Sequence, residues 1–156
     1  MRKLISKTLV MGTLAGMRAV SAPALLSRTL SDEKNGALSH TPLRFLQNKY
    51  VANTLTALAA TEIIGDKVPD VPDRIEMPSL LTRMASGALV GAALFISSRQ
   101  SGVQGAALGA AAALAGTYAS FYLRKALRDN TSIADPVYGA LEDALVMGSG
   151  YQAGKL

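Results

Sequence analysis

The sequence predicts an all-helical, polytopic membrane bundle of about five transmembrane helices, with residues 1–156 forming a single integral membrane domain. Three observations predict it. Charged residues make up 17% of the chain but crowd into a few connecting stretches, leaving long windows nearly free of charge although the mean hydropathy is only +0.25. Small residues recur four apart in the two most apolar windows. Four of the five tyrosines, Tyr50, Tyr122, Tyr138 and Tyr151, fall near span ends, where an aromatic belt belongs in a chain without tryptophan.

The first apolar stretch runs from Thr8 to Leu26 behind Arg2, Lys3 and Lys7, with Arg18 and Pro23 inside it. It mimics a secretory signal peptide, but Arg18 interrupts the apolar region and Pro23 follows the small pair Ser21-Ala22 unfavourably for cleavage, so a retained helix is expected. Residues Thr29 to Lys49 read as a polar connection, with a turn at Asp32–Gly36 and a short interfacial segment around Leu43 to Leu46. The second span, Tyr50 to Asp66, reaches only ~25 Å at 1.5 Å per residue. From Lys67 to Pro78, three prolines among alternating charges predict an extended surface connection.

The third span, Leu80 to Ser98, carries Gly87 and Gly91, and the fourth, Val103 to Leu123, carries Gly105, Gly109 and Gly116 in an alanine field. With Gly12 and Gly16 in the first span, these glycines give faces on which backbones can approach closely and pack by dispersion, within the chain or in a homo-oligomer. A soluble alanine-rich bundle would need a polar face that these spans lack. The fifth span, Ile133 to Tyr151, has Glu142 and Asp143 at its centre. With five crossings, nine Lys and Arg residues fall on the side of the N-terminus against six on the other, Arg18 left out, which places the N-terminus in the cytoplasm.

Composition excludes several functions. Cysteine is absent and the single histidine, His40, lies in a polar loop, so thiolate or His-rich metal sites and a Ser-His-Asp triad are ruled out by inventory. No cofactor motif is present. The net charge of +5 is scattered at span ends without interleaved aromatics, which argues for anionic headgroups of the lipid bilayer and against nucleic acid.

An internal repeat is visible in two registers. A shift of 100 lays Leu14-Ala15-Gly16 on Leu114-Ala115-Gly116, Ala19 on Ala119 and Arg28 on Arg128, and a shift of 80 lays Ala60 on Ala140 and Glu62 on Glu142. The expectation is two inverted two-helix repeats, residues 8–66 and 103–151, joined by a connector helix over 80–98.

The chemistry-bearing residues are the ionisable ones within or at the ends of spans: Arg18, Glu62, Asp66, Glu142 and Asp143. A charge at the bilayer centre costs on the order of 3 kcal/mol on insertion scales, so each needs a partner, a cavity or a proton. Glu62 and Asp66 share a helix face, whereas adjacent Glu142 and Asp143 point about 100° apart. One reading is a midplane site in which Glu62 and Glu142 bind a cation or relay protons, with Arg18 as counter-charge or anion ligand. The other is an ion pair of Arg18 with Glu142 or Glu62 that locks the bundle. The first is preferred, because a buried ion pair is a poor stabiliser once desolvation is counted. Asp66, followed by Lys67 and Pro69, also fits a plain interface marker.

Glu62-Ile63-Ile64-Gly65-Asp66-Lys67 resembles the Glu-x-Gly-Asp-Lys-Thr/Ser motif of a family of membrane manganese and calcium exchangers, with one extra residue before Gly65 and Val68 in place of the hydroxyl ligand. A resemblance covering nearly the whole chain is to domain-of-unknown-function family 4126, small bacterial integral membrane proteins. It is carried by Gly16-Met17-Arg18-Ala19 with Pro23-Ala24, by Glu62 with Asp66-Lys67-Val68-Pro69, by Ser86-Gly87-Ala88-Leu89 and by Leu141-Glu142-Asp143-Ala144. That resemblance implies a multi-pass protein of the bacterial inner membrane and supplies no reaction. The resulting expectation is a non-enzymatic transporter or channel for a small ion or solute. A membrane scaffold or accessory subunit is the first rival. A lipid-headgroup-modifying enzyme, with Arg18 on a phosphate and a carboxylate as base, is the second.

Overall fold

A computed structural model describes residues 1–65 and 76–130, with side chains omitted at 63–65, 124 and 127–130. The described residues form helices and connecting turns: α1 (Arg2–Met17), α2 (Ser21–Asp32), α3 (Gly36–Ser39), a 3-10 turn (Pro42–Gln47), α4 (Lys49–Gly65), α5 (Met77–Ser97) and α6 (Gly102–Asn130). Among the described residues, two stretches, Met77–Ser97 and Gly102–Leu123, are long and apolar enough to cross a membrane. Asp66, the fifth span with Glu142 and Asp143, and the second copy of the repeat beyond residue 130 lie outside the described residues.

Backbone proximity organises the largest interfaces. Gly91 of α5 lies so close to Gly105 of α6 that a Cβ there would meet the Gly105 carbonyl, and Gly87 stands in the same relation to Gly109. α1 then packs on α6: a Cβ on Gly12 would come within 2.8 Å of Gly109 O, and one on Gly16 within 2.8 Å of Thr117 N. Contact at this separation gains dispersion from backbone atoms on both sides, and no larger residue allows it. Around it pack Leu14, Ala15, Val90, Ala93 and Ala113, all buried. Within the chain, these glycine faces pack against one another.

The pairings fix directions. Gly87 opposes Gly109 while Gly91 opposes Gly105, so α5 and α6 are antiparallel; Gly12 near Gly109 and Gly16 near Ala113 make α1 parallel to α6.

The first expected span is not one helix. It breaks at Arg18, whose φ of −141° and ψ of 114° are extended, and α2 begins at Ser21. Pro23 is the reason it restarts there: without an N–H and with φ fixed near −65°, it suits the first turn of a new helix and obstructs the middle of an old one.

The chain also reverses. The start of α2 meets Ser86 of α5 through Ala19 and its far end reaches Ser97 through the Asn35 side chain, so α2 runs parallel to α5 and antiparallel to α1. α4 returns alongside α2, pairing Asn53 with Arg28 and Glu62 with Ala19. The result is a helical hairpin, α1–α2, whose turn is covered by three other helices.

Two smaller expectations change as well. Leu46 is fully buried and its carbonyl accepts the Ser27 hydroxyl at 2.7 Å, so the Pro42–Gln47 segment anchors in the core through Leu46 and Gln47, while Pro42, Arg44 and Phe45 are exposed. Pro78 does not end a connection but occupies the first turn of α5. Because of the hairpin, the N-terminus, the 33–48 region and the α5–α6 turn share one end of the bundle. The charge count that separated the N-terminus from those loops is therefore regrouped.

Replacing Gly91 with alanine is expected to destabilise the chain by about 1–3 kcal/mol, because its Cβ meets backbone that cannot rotate away. Gly36→Ala, with nothing within 4 Å, should leave stability unchanged or raise it by up to about 1 kcal/mol. Thermal unfolding midpoints of the two purified variants check this, and equal midpoints would refute the close-packing account.

Candidate functional site

A chain that breaks from a helix and starts another exposes carbonyls at the end of the first and N–H groups at the start of the second. In an uninterrupted helix Ala19 N and Val20 N would bond to the carbonyls of Ala15 and Gly16. Here Ala19 N donates to Glu62 Oε1 at 2.9 Å and Val20 N to Glu62 Oε2 at 3.1 Å, so one carboxylate from α4 takes both.

The carbonyls are met from the other side. Arg83 Nη1 donates to Gly16 O at 2.7 Å and to Met17 O at 2.6 Å, and the Thr117 hydroxyl of α6 adds a third bond, to Gly16 O at 3.0 Å. The Ala19 carbonyl would have served the N–H that Pro23 lacks, and it accepts the Ser86 hydroxyl instead.

The charges match the field of the two helix ends. The C-terminus of α1 carries partial negative charge and faces a guanidinium; the N-terminus of α2 carries partial positive charge and faces a carboxylate. Hydrogen bonds to charged groups contribute about 1.5–3 kcal/mol each, more than neutral ones. Arg83 is 7% exposed and Arg18, on the turn itself, 2%. Neither is without a partner.

Of the five ionisable residues singled out from the sequence, the structure brings two to this turn, Arg18 and Glu62; Asp66, Glu142 and Asp143 lie outside the described residues. Glu62 binds backbone N–H groups through both oxygens. Sequence reasoning gave no role to Arg83 or Thr117 and quoted Ser86 only within the family resemblance. A signal was present: Arg83, Ser86, Gly87 and Val90 follow i, i+3, i+4, i+7 spacing, which puts Arg83 on the same face as the packing glycine. Among the described residues no group of three His, Cys, Asp or Glu side chains could hold a metal ion.

Arg83→Met is expected to cost about 2–4 kcal/mol, since it leaves the Gly16 and Met17 carbonyls short of donors in a buried turn. Ser86→Ala, which removes one neutral hydroxyl, should cost about 1 kcal/mol. Unfolding midpoints rank the two, and a harmless Arg83→Met would show that the turn does not depend on this cap.

No curated protein and no solved structure matches the chain. The family described as Domain of unknown function (DUF4126) matches residues 5–154, which include all of the hairpin but the first three residues of α1, its turn and every side chain that caps it. The chain therefore belongs to the DUF4126 family.

Proposed function

We propose that this chain is a small multi-pass protein of the bacterial inner membrane that moves a small ion or solute past the tip of its α1–α2 hairpin. The observation that carries the proposal is the break in the helix at Arg18–Val20, buried at Arg18 and half-buried at Ala19 and Val20, capped by charged side chains. Arg83 lies six residues into α5, ~9 Å from its start, so with α5 and α6 across the bilayer the hairpin tip stands inside the hydrocarbon region.

Irregular backbone at that depth is tolerated only where protein or a water-filled cavity covers it, and buried ionisable groups there mark ion and substrate paths. Interrupted helices serve transporters because helix ends present N–H groups to anions and carbonyls to cations. In the reading proposed, Glu62 and Arg83 hold those groups in the resting state and exchange them for the transported species. The exposed Leu58, Leu81, Val103 and Tyr122 would face lipid.

A second reading, a non-transporting scaffold or accessory subunit, draws on the commitment of both Glu62 oxygens to the backbone, which is what a purely structural cap requires. Proteoliposomes separate the two. Transport predicts flux above that of empty vesicles in a panel of monovalent cations, anions and protons. It should fall at least tenfold in Glu62→Gln with helicity retained, about the effect of losing 1.4 kcal/mol. Flux at the level of empty vesicles for every ion in the panel favours the scaffold.

The topology has its own test, made clean by the absence of cysteine. Ser6→Cys, Ser39→Cys and Ser101→Cys should react with an impermeant thiol reagent from one face of the membrane and Lys125→Cys from the other. Labelling of Ser6→Cys and Ser39→Cys from opposite faces would return α1 to a crossing helix and remove the hairpin from the proposal.

A further inference from the structure

At the bundle end opposite the hairpin turn, the start of α1 and the α5–α6 turn enclose a cleft of about 360 Å³ lined by Met1, Lys3, Leu4, Lys7, Ser98 and Gln100. Lys3 and Lys7 are four apart on one helix face, where like charges repel, and no acidic side chain lines the cleft to offset them. Lys3, Lys7, Ser98 and Gln100 bring side chains able to donate hydrogen bonds to the lining, and Met1 and Leu4 add apolar ones.

The opposite wall is a specifically shaped turn. Arg99 adopts φ 56°, a left-handed conformation that glycine ordinarily fills at a helix C-terminus. Its N–H bonds to Ile96 O at 2.9 Å and that of Gln100 to Phe95 O at 2.8 Å, which closes α5 and holds Ser98 and Gln100 at the rim of the cleft.

We infer that this cleft binds the phosphate of an anionic phospholipid headgroup, with Lys3 and Lys7 as its charged ligands, Ser98 and Gln100 as neutral donors, and Leu4 against the glycerol and upper acyl region. The inference rests on the membrane reading proposed above: the cleft sits where both apolar helices, α5 and α6, meet their connecting turn, the level at which headgroups lie. A phosphate between the two lysines relieves their repulsion and accepts more hydrogen bonds than a chloride or a carboxylate could. An anionic diester is thereby favoured over a zwitterionic headgroup, whose choline or amine would bring a third cation to the site.

Native mass spectrometry of the full chain in detergent, titrated with phosphatidylglycerol or phosphatidylcholine, tests the site. Wild type should retain phosphatidylglycerol roughly thirtyfold better than phosphatidylcholine, given about 1 kcal/mol for each of the two lysines near an anionic headgroup. Lys3→Gln with Lys7→Gln should abolish the preference. Lys34→Gln with Arg44→Gln, exposed at the same end but outside the cleft, should leave it intact.

Equal retention of the two lipids, or equal loss in both double variants, would overturn the inference in favour of diffuse surface attraction. Stabilisation by inorganic phosphate that depends on Lys3 and Lys7, without lipid preference, would overturn the lipid assignment and leave a site for free phosphate. Recovery of the chain from the aqueous fraction without detergent would instead sink the membrane reading, an outcome distinct from failure of the cleft to select.

Discussion

The turn at Arg18–Val20 obliges the rest of the molecule to be where it is. Backbone N–H and C=O groups released from a helix must find partners when buried, and here water is replaced by a carboxylate, a guanidinium and two hydroxyls. The four come from three helices: Glu62 from α4, Arg83 and Ser86 from α5, Thr117 from α6. The positions of three helices are thus tied to one reversal of the chain. The glycine contacts make this feasible, because Gly16 must lie against the Ala113–Thr117 turn of α6 for the Thr117 hydroxyl to reach its carbonyl.

The two helix ends at the turn carry opposite partial charges, and each is matched by a side chain of opposite sign. This arrangement has two faces. As a cap it is fully in use: both carboxylate oxygens accept a backbone N–H, and a single guanidinium nitrogen serves two carbonyls. As a site it is a ready-made frame in which an anion or a cation in transit would meet groups already oriented. The strength of the first description is what a transported ion would have to compete with under the second.

Much of the fold was legible. Charge-free windows located α4, α5 and the apolar part of α6 to within a few residues, because long apolar helices are written into hydropathy. The turn signal at Asp32–Gly36 matches the end of α2. The reversal at Arg18 was not legible, although both of its markers were noticed. Arg18 and Pro23 read as oddities within one span, since hydropathy averaged over a window cannot tell a continuous helix from two short ones folded back.

At the site, Glu62 was legible because a carboxylate in an apolar run is conspicuous, whereas Arg83 stood near a span boundary where basic residues are commonplace. Ser86 and Thr117 carry no charge, and only the tertiary contact gives them a role. Asn35 capping α3 and reaching Ser97 is of the same kind: a polar residue in a loop until a helix 62 residues away supplies its partner.

The separation in sequence between the turn and its caps has a consequence for biogenesis. Thr117 lies 101 residues after the carbonyl it serves, and Arg83 lies 67. During synthesis the hairpin therefore leaves the ribosome long before its caps exist. The nascent chain must keep Arg18–Val20 hydrated or otherwise partnered until α5 and α6 arrive. Closure of the turn is then a late event that proofreads the assembly, since it succeeds only when each later helix has taken its place.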